Sequence, residues 1–302
     1  MAQRADVVVL GAGVVGCAIA YYLSRRGVRV VVVERDEVGS AASGYALGGL
    51  NPLLGSYISS YAGPLAEASF EMHRKLWPQL EQTVDVDIQA RVIPHLDICM
   101  SSEEVSNSQS ELIRWAGMKN FVTRWLEPDE VHCREPLVNR ELMGAVLVED
   151  VGVVDSYRFT LSMSKMAEMN GAEFVVGEVI SLTFSGGRVT GVVLRDDEIS
   201  CGATVVALGP WSGQIGGWLD LEIPVSPLKG QIVHVEGFDQ ILRHSLGREC
   251  TVLSKEDGLI WIGSTEEDVG FDMNTRTYQP QLFIIKFIIK STSIWQNIIN
   301  NE

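Results

Sequence analysis

The segment Asp6–Glu34 constrains the chain most. Asp6-Val-Val-Val-Leu10 is a short apolar run rich in β-branched residues, as suits a buried parallel strand. Gly11-Ala-Gly13-Val-Val-Gly16 follows as a turn. Val14–Arg26 reads as a helix with one apolar face, closed by Gly27, and Val28–Val33 reads as a second buried strand ending at Glu34. Strand, glycine turn, helix, strand and acid in this order form a dinucleotide-binding βαβ unit. Gly11 permits the tight turn, Gly13 lets a pyrophosphate approach the backbone, and Gly16 lets helix and strand pack closely. The free N–H groups and dipole of the helix N-terminus favour a diphosphate. Glu34 lies 23 residues after Gly11. A carboxylate there accepts both hydroxyls of a ribose and repels a 2′-phosphate, which favours FAD or NAD over NADP.

The rest of the chain alternates between two characters. Residues 35–63 are loop-like, and Pro64 opens a helix reaching about Gln82. Asp87–Met100 reads as strands, Ser101-Ser-Glu-Glu104 as a capping box, and Glu127-Pro-Asp-Glu130 as another helix start. Tyr157–Asn170 reads as a helix ended by Gly171. Val179–Phe184 and Arg188–Leu194 read as a hairpin around Gly186-Gly187. Thr204–Leu208 is a further buried strand, and Ile223–Val235 and Gly258–Gly263 alternate like strands of an antiparallel sheet. The expected architecture is α/β: a Rossmann-type dinucleotide domain from residues 1–85 plus 145–215, interleaved with an α+β substrate domain from 86–144 plus 216–280, built on a largely antiparallel sheet.

Residues 281–302 differ from what precedes them. They hold seven Ile, three Asn and two Lys but no Gly, Ala or Val, whereas the first 280 residues hold fourteen Ile and all 29 Gly. Ile, Asn and Lys belong to A/T-rich codons. The expectation is a native frame ending near Pro280, with a tail from a shifted frame or gene-model junction. The alternative is a terminal amphipathic helix carrying Phe283, Ile284, Phe287 and Ile288.

Charge and cysteine usage narrow the class further. A net charge of −15 argues against a nucleic-acid partner, which would need a basic face. Cys17, Cys99, Cys133, Cys201 and Cys250 are scattered, with no CxxC pair, so zinc and a disulfide framework are not expected and a cytoplasmic setting is. The apolar run Val7–Leu23 is broken by Gly11, Gly13 and Gly16, so it reads as neither signal peptide nor membrane span.

Several ordered segments together resemble the FAD-dependent D-amino-acid-oxidase-like superfamily, in its glycine oxidase and sarcosine oxidase branch. They are Val9–Leu23, Val33-Glu-Arg35, Gly39–Leu50, Gly177–Ile180, Val205–Ser212, Pro227–Gln231 and Gly258–Thr265. The resemblance spans roughly residues 5–272. It implies FAD as cofactor, with Val14 and Val15 against the diphosphate, Glu34 on the adenosine ribose and Arg35 nearby. Ala42, Ser43, Leu47, Gly48 and Gly49 would run along the pyrophosphate and ribityl chain to the flavin ring. Val179 would pair through its backbone with adenine, while Ala207, Gly209 and Trp211 would close the adenosine side.

The resemblance also implies hydride transfer from the carbon bearing a substrate amine to flavin, with oxygen or another acceptor reoxidising the cofactor. No side-chain nucleophile is needed, and none is assigned. The substrate side departs from the pattern. The family's carboxylate-gripping Arg lies beyond the point where this sequence changes character, and an Arg-Pro…Asp-Gly…Pro-x-Ile-Gly segment is missing. Thr251 stands where glycine-oxidase relatives carry an aromatic hydroxyl. Weakened FAD binding is the expected consequence. Two other readings stand beside amine oxidation: an FAD-dependent hydroxy-acid dehydrogenase feeding a quinone or carrier, and a truncated, inactive dinucleotide-binding fragment.

Smaller features read as structural. His73, His95, His132, His234 and His244 show no ligand spacing, and Cys17 reads as a small core residue. Lys229 and Gln231 border either the active site or a strand edge. A homo-oligomer is left open.

Overall fold

The computed structural model describes residues 3–53, 62–116, 121–236, 241–247 and 250–275. The atypical tail 281–302 lies outside them. β1 (Gln3–Leu10) enters the glycine turn, whose Gly11 N–H is held by Val33 O at 2.8 Å. α1 (Val14–Ser24) follows, shorter than Val14–Arg26, and Gly27 takes the left-handed conformation (φ +76°) that redirects the chain into β2 (Val30–Glu34). α2 (Ala42–Tyr45) and β3 (Gly49–Leu50) are short.

α3 (Gly63–Thr83) carries Pro64 in its first turn and accommodates Pro78 inside. β4 (Arg91–Cys99) leads to α4 (Ser102–Trp115), where the capping box forms. Glu104 N–H donates to Ser101 Oγ at 3.3 Å, and Glu104 Oε2 accepts from Ser101 N–H at 2.9 Å. β5 (Thr123–Leu126), α5 (Pro128–Arg134) and β6 (Gly144–Val153) come next. α6 (Ser156–Met169) is capped by Asp155 Oδ1, which accepts from Arg158 N–H at 2.9 Å. β7 (Glu173–Val176), β8 (Val179–Ser185), β9 (Arg188–Leu194) and β10 (Glu198–Val206) follow, with Gly186 and Gly187 both at positive φ between β8 and β9. A 3-10 turn over Gly209–Ile215, α7 (Gly216–Leu219), β11 (Ile232–Val235), β12 (Ser245–Gly247), β13 (Thr251–Ser254) and β14 (Ile260–Gly263) complete the described chain. Only 232–235 of the Ile223–Val235 stretch is a strand, because Pro224 and Pro227 remove ladder donors.

Two sheets result, and the α/β class with a second, largely antiparallel sheet holds. The first has the order β7-β2-β1-β10-β9-β8, parallel from β7 through β10 and antiparallel beyond. Both its faces are covered. Val9, Val30 and Val32 pack beneath α1 and α6 with Cys17, Ala20 and Met163. Val8, Leu10, Val31 and Val33 pack on the opposite side with Val192, Ile199 and Ile215. This two-sided burial explains the unbroken valine runs. Each such side chain contributes about 1.5–3 kcal/mol on burial.

The second sheet has the order β11-β14-β13-β12-β4-β6-β3, with β5 added on β6. All its pairings are antiparallel except β4 with β12. β3 and β6 fall within the segments 1–85 and 145–215 for most of their length, yet they hydrogen-bond into this second sheet. One face buries Leu96, Ile98, Leu147, Val252, Ile260 and Ile262 against Leu126, Val131 and Leu142. The opposite face carries the cavity described next.

Candidate dinucleotide and substrate site

The glycine turn sits at the carboxyl end of β1, beside the ends of β2 and β10. The first βα connection leads to β2 on one side of β1, while β10 lies on the other. A crevice at such a reversal of strand order is where open α/β sheets bind ligands. At Gly16 a Cβ would overlap the Gly11 carbonyl oxygen, and at Gly11 (φ +98°) it would stand 2.6 Å from Ala207 O. Both glycines are therefore demanded by packing. Gly13 differs: its Cβ would meet only Ser43 Oγ, at 3.1 Å. That leaves its backbone open to a ligand. Val14 N–H donates to Ser43 Oγ at 3.0 Å, and Val15, at the helix start, is 60% exposed.

Glu34 reaches back onto this turn. Its Oε2 accepts from Ala12 N–H at 2.7 Å and its Oε1 from Asp36 N–H at 3.1 Å. A carboxylate offers about four acceptor sites, so two remain for vicinal hydroxyls. The Arg35 guanidinium lies 5.4 Å from the Trp211 ring centre, and Trp211 stacks on Phe271 at 5.2 Å. Ala207 N–H donates to Leu10 O at 2.9 Å, and Gly209 (φ +52°) has open space where a Cβ would stand. Val179 begins β8, and the preceding Gly177 N–H is bound by Glu34 O at 2.8 Å. The glycine turn, Glu34 and Ala207 thus meet at the carboxyl ends of β1, β2 and β10, with Arg35, Trp211 and Val179 on the segments that leave them. Open backbone at Gly13 and Gly209, a helix N-terminus and a carboxylate at the end of β2 fit a dinucleotide.

The remaining expected residues lie on a second feature. A cavity of 860 Å³ is lined by Ala42, Leu47, Gly48 and Gly49 at one end. Gly48 (φ +83°) lies against the Val154 carbonyl, while Gly49 has open space around its Cα. The other walls come from α3, β4, β6, β11, β12, β13 and β14, including Thr251, the position singled out in the sequence.

Sequence reasoning missed the polar groups of these walls. His95 and His73 both line the cavity. His95 Nδ1 bonds with Ser245 Oγ at 2.7 Å, and burial pushes its pKa down to about 4, so the ring is neutral at physiological pH. Asp97 stands two residues on, on the same face. Burial, with Glu111 and Glu104 nearby, pushes its pKa up to about 6. Gly247 makes room for both: a Cβ there would come within 2.5 Å of His95 Nε2 and 3.2 Å of Asp97 Oδ1. The period-2 spacing of His95 and Asp97 was a usable signal once 87–100 was read as strand. Of the two borderline positions, Gln231 binds Glu267 through Nε2 at 2.8 Å and Lys229 binds Asn274 O, while the intervening Gly230 reaches the cavity. Among the described residues there is no cluster able to hold a metal ion and no helix long and apolar enough to cross a membrane.

Comparison with known proteins gives the family. Residues 6–291 match the family described as "FAD dependent oxidoreductase". A glycine oxidase of Pseudomonas aeruginosa is 31% identical over 279 residues, spanning 90% of this chain and 73% of that protein. One chain of the anaerobic glycerol-3-phosphate dehydrogenase of Escherichia coli is 28% identical over 289 residues, 89% of this chain and 50% of that protein. Among solved structures, glycine oxidase from Geobacillus kaustophilus superposes with a TM-score of 0.89 at 24% identity, covering 97% of this chain and 80% of that one. The chain belongs to the family of FAD-dependent oxidoreductases to which the glycine oxidases belong, and FAD is its cofactor.

Proposed function

We propose that this chain oxidises the C–N bond of a small amine or amino acid. The observation that carries the reading is the cavity that runs from the Ala42–Gly49 segment onto the open face of the second sheet. The segment that lines one end of it follows the dinucleotide turn in the chain, and the chamber is of a size suited to a small substrate. Bound FAD supplies the two-electron acceptor, and the protein's part is to bind, orient and exclude water. Two electrons and a proton leave the substrate as hydride from the carbon bearing nitrogen. The resulting imine takes up water and splits into a carbonyl compound and ammonia or an amine. The residues proposed to hold FAD are Gly11, Gly13, Val14, Val15 and Gly16 of the glycine turn and helix start, Glu34, Arg35, Ala42, Ser43, Leu47, Gly48, Gly49, Val179, Ala207, Gly209 and Trp211. Neutral His95 and His73 and half-buried Asp97 line the substrate end.

A hydroxy-acid or glycerol-phosphate substrate is the second reading, because a glycerol-3-phosphate dehydrogenase is among the relatives. The wall chemistry favours the amine. Among the described residues lining the cavity are the carboxylates Asp97 and Glu266 but no Lys or Arg to grip a phosphate.

The test is the visible absorption of the purified chain, before and after anaerobic addition of single amines, amino acids and hydroxy acids. Flavin absorbance that bleaches with an amine or amino acid supports the proposal. Bleaching by hydroxy acids alone supports the second reading. Bound flavin that none of them bleaches overturns both.

A further inference from the structure

Three successive carbonyls of the cavity-lining segment are held from one side. Ser156 Oγ donates to Ala46 O at 2.7 Å, Lys255 Nζ to Leu47 O at 2.7 Å, and Val154 N–H to Gly48 O at 3.0 Å. Lys255 Nζ also donates to Val154 O at 2.9 Å, so one ammonium ties the 47–48 segment to the end of β6. In a trans peptide the C=O and the following N–H point in opposite directions. The N–H groups of Leu47, Gly48 and Gly49 therefore face away from the clamp, and all three residues line the cavity. The ladder agrees for Gly49. A bond from Val154 N–H to Gly48 O makes Gly49↔Val153 the non-hydrogen-bonded pair, so the Gly49 N–H is turned away from β6.

Lys255 is an unusual residue for a purely structural post. It is 3% exposed and lies 4.7 Å from the centre of the Trp261 ring, on which His234 stacks at 4.0 Å. Asp155 and Asp257 favour its charge and Arg91 opposes it, but burial outweighs all three and pushes its pKa down to about 8. A buried ammonium opposes folding unless its surroundings repay the desolvation. At neutral pH the fold carries this charge nonetheless.

We propose that Lys255 is a positioning residue for the cofactor. By holding Leu47 O and Val154 O it fixes the Leu47–Gly48 peptide, so that the N–H groups of Leu47, Gly48 and Gly49 form a row of donors for the acceptor edge of the flavin ring. This rests on the FAD reading above. Donors fixed before the reaction stabilise negative charge arriving on that edge with two electrons. A cation behind the peptide strengthens the Gly48 N–H as a donor.

The experiment compares the wild-type chain with Lys255→Met and Lys255→Arg. The FAD dissociation constant of the apoprotein is read by quenching of flavin fluorescence, the midpoint potential of bound flavin by dye equilibration, and apoprotein stability by thermal unfolding. Lys255→Met is expected to raise the dissociation constant at least about tenfold and to move the potential to more negative values, while apoprotein stability does not fall. Lys255→Arg is expected to restore part of both. The unmutated chain supplies an arm that needs no variant to fold: its FAD affinity falls between pH 7 and pH 9 as the ammonium loses its proton. Unchanged affinity and potential in Lys255→Met with a less stable apoprotein would make Lys255 merely structural and overturn the proposal. A wild-type chain that takes up no FAD would overturn the function proposed above as well, so the two failures are distinct.

Discussion

The Glu34 carboxylate accepts the Ala12 N–H at 2.7 Å, so the acid at the end of β2 braces the middle of the glycine turn at the end of β1. The residue that would hold the ribose also sets the shape of the loop that would hold the diphosphate. Glu34→Gln is expected to raise the FAD dissociation constant about tenfold or more, since hydrogen bonds to a charged group contribute about 1.5–3 kcal/mol. Fluorescence titration of the apoprotein measures it. Equal affinity in the variant would remove Glu34 from the cofactor site.

Two of the turn glycines, Gly13 and Gly16, are expected to separate by role. Gly16→Ala forces a methyl into the Gly11 carbonyl, and a destabilisation of about 1–3 kcal/mol is expected. Gly13→Ala meets only the Ser43 hydroxyl, so the apoprotein should unfold within a few degrees of wild type while FAD affinity drops. Thermal unfolding with and without FAD distinguishes them. A Gly13→Ala chain that binds FAD normally would show that the backbone there does not approach a ligand.

The cavity pair His95 and Asp97 carries opposite pH dependences. Asp97 has its folded pKa raised from 3.8 to about 6, so the folded state binds the extra proton and this group's contribution to stability is lost as pH rises from 4 to 6. His95 has its folded pKa lowered from 6.5 to about 4, so the unfolded state binds the extra proton and stability is gained from pH 4 to 6.5. The two largely cancel in the wild-type chain. The stabilisation of Asp97→Asn over wild type should grow from pH 4 to pH 6 and level off at about 1–3 kcal/mol. That of His95→Gln, if its packing is kept, should shrink over the same range. Urea unfolding at four or five pH values gives both slopes, and parallel curves would refute the assignment.

The thiols are expected to differ sharply in reactivity. Cys17 is buried, its S–H directed at Ala12 O at 3.4 Å, and burial pushes its pKa up to about 12. Cys99 and Cys250 are also buried, and Cys133 is exposed. A thiol reagent at pH 8 should modify Cys133 first and leave Cys17 untouched until the protein unfolds. Mass mapping of the labelled sites checks the order.

What the sequence alone determined is local in the chain. The βαβ unit, its three glycines and Glu34 all fall within 34 residues, so strand periodicity, turn chemistry and helix starts fix their relation without reference to the rest. The capping box at Ser101 and the Gly186-Gly187 turn were legible for the same reason. Tertiary structure alone decided the sheet-lined end of the cavity. His95 meets Ser245 across 150 residues, and Lys255 reaches Leu47 across 208. Nothing in Ser254-Lys-Glu-Asp-Gly258 distinguishes it from a solvated turn, and nothing in Ile93-Pro-His-Leu-Asp97 says which strand will pair beside it. Such contacts depend on which strands neighbour one another in the second sheet, and pairing between distant strands is set by burial of whole faces rather than by local propensity.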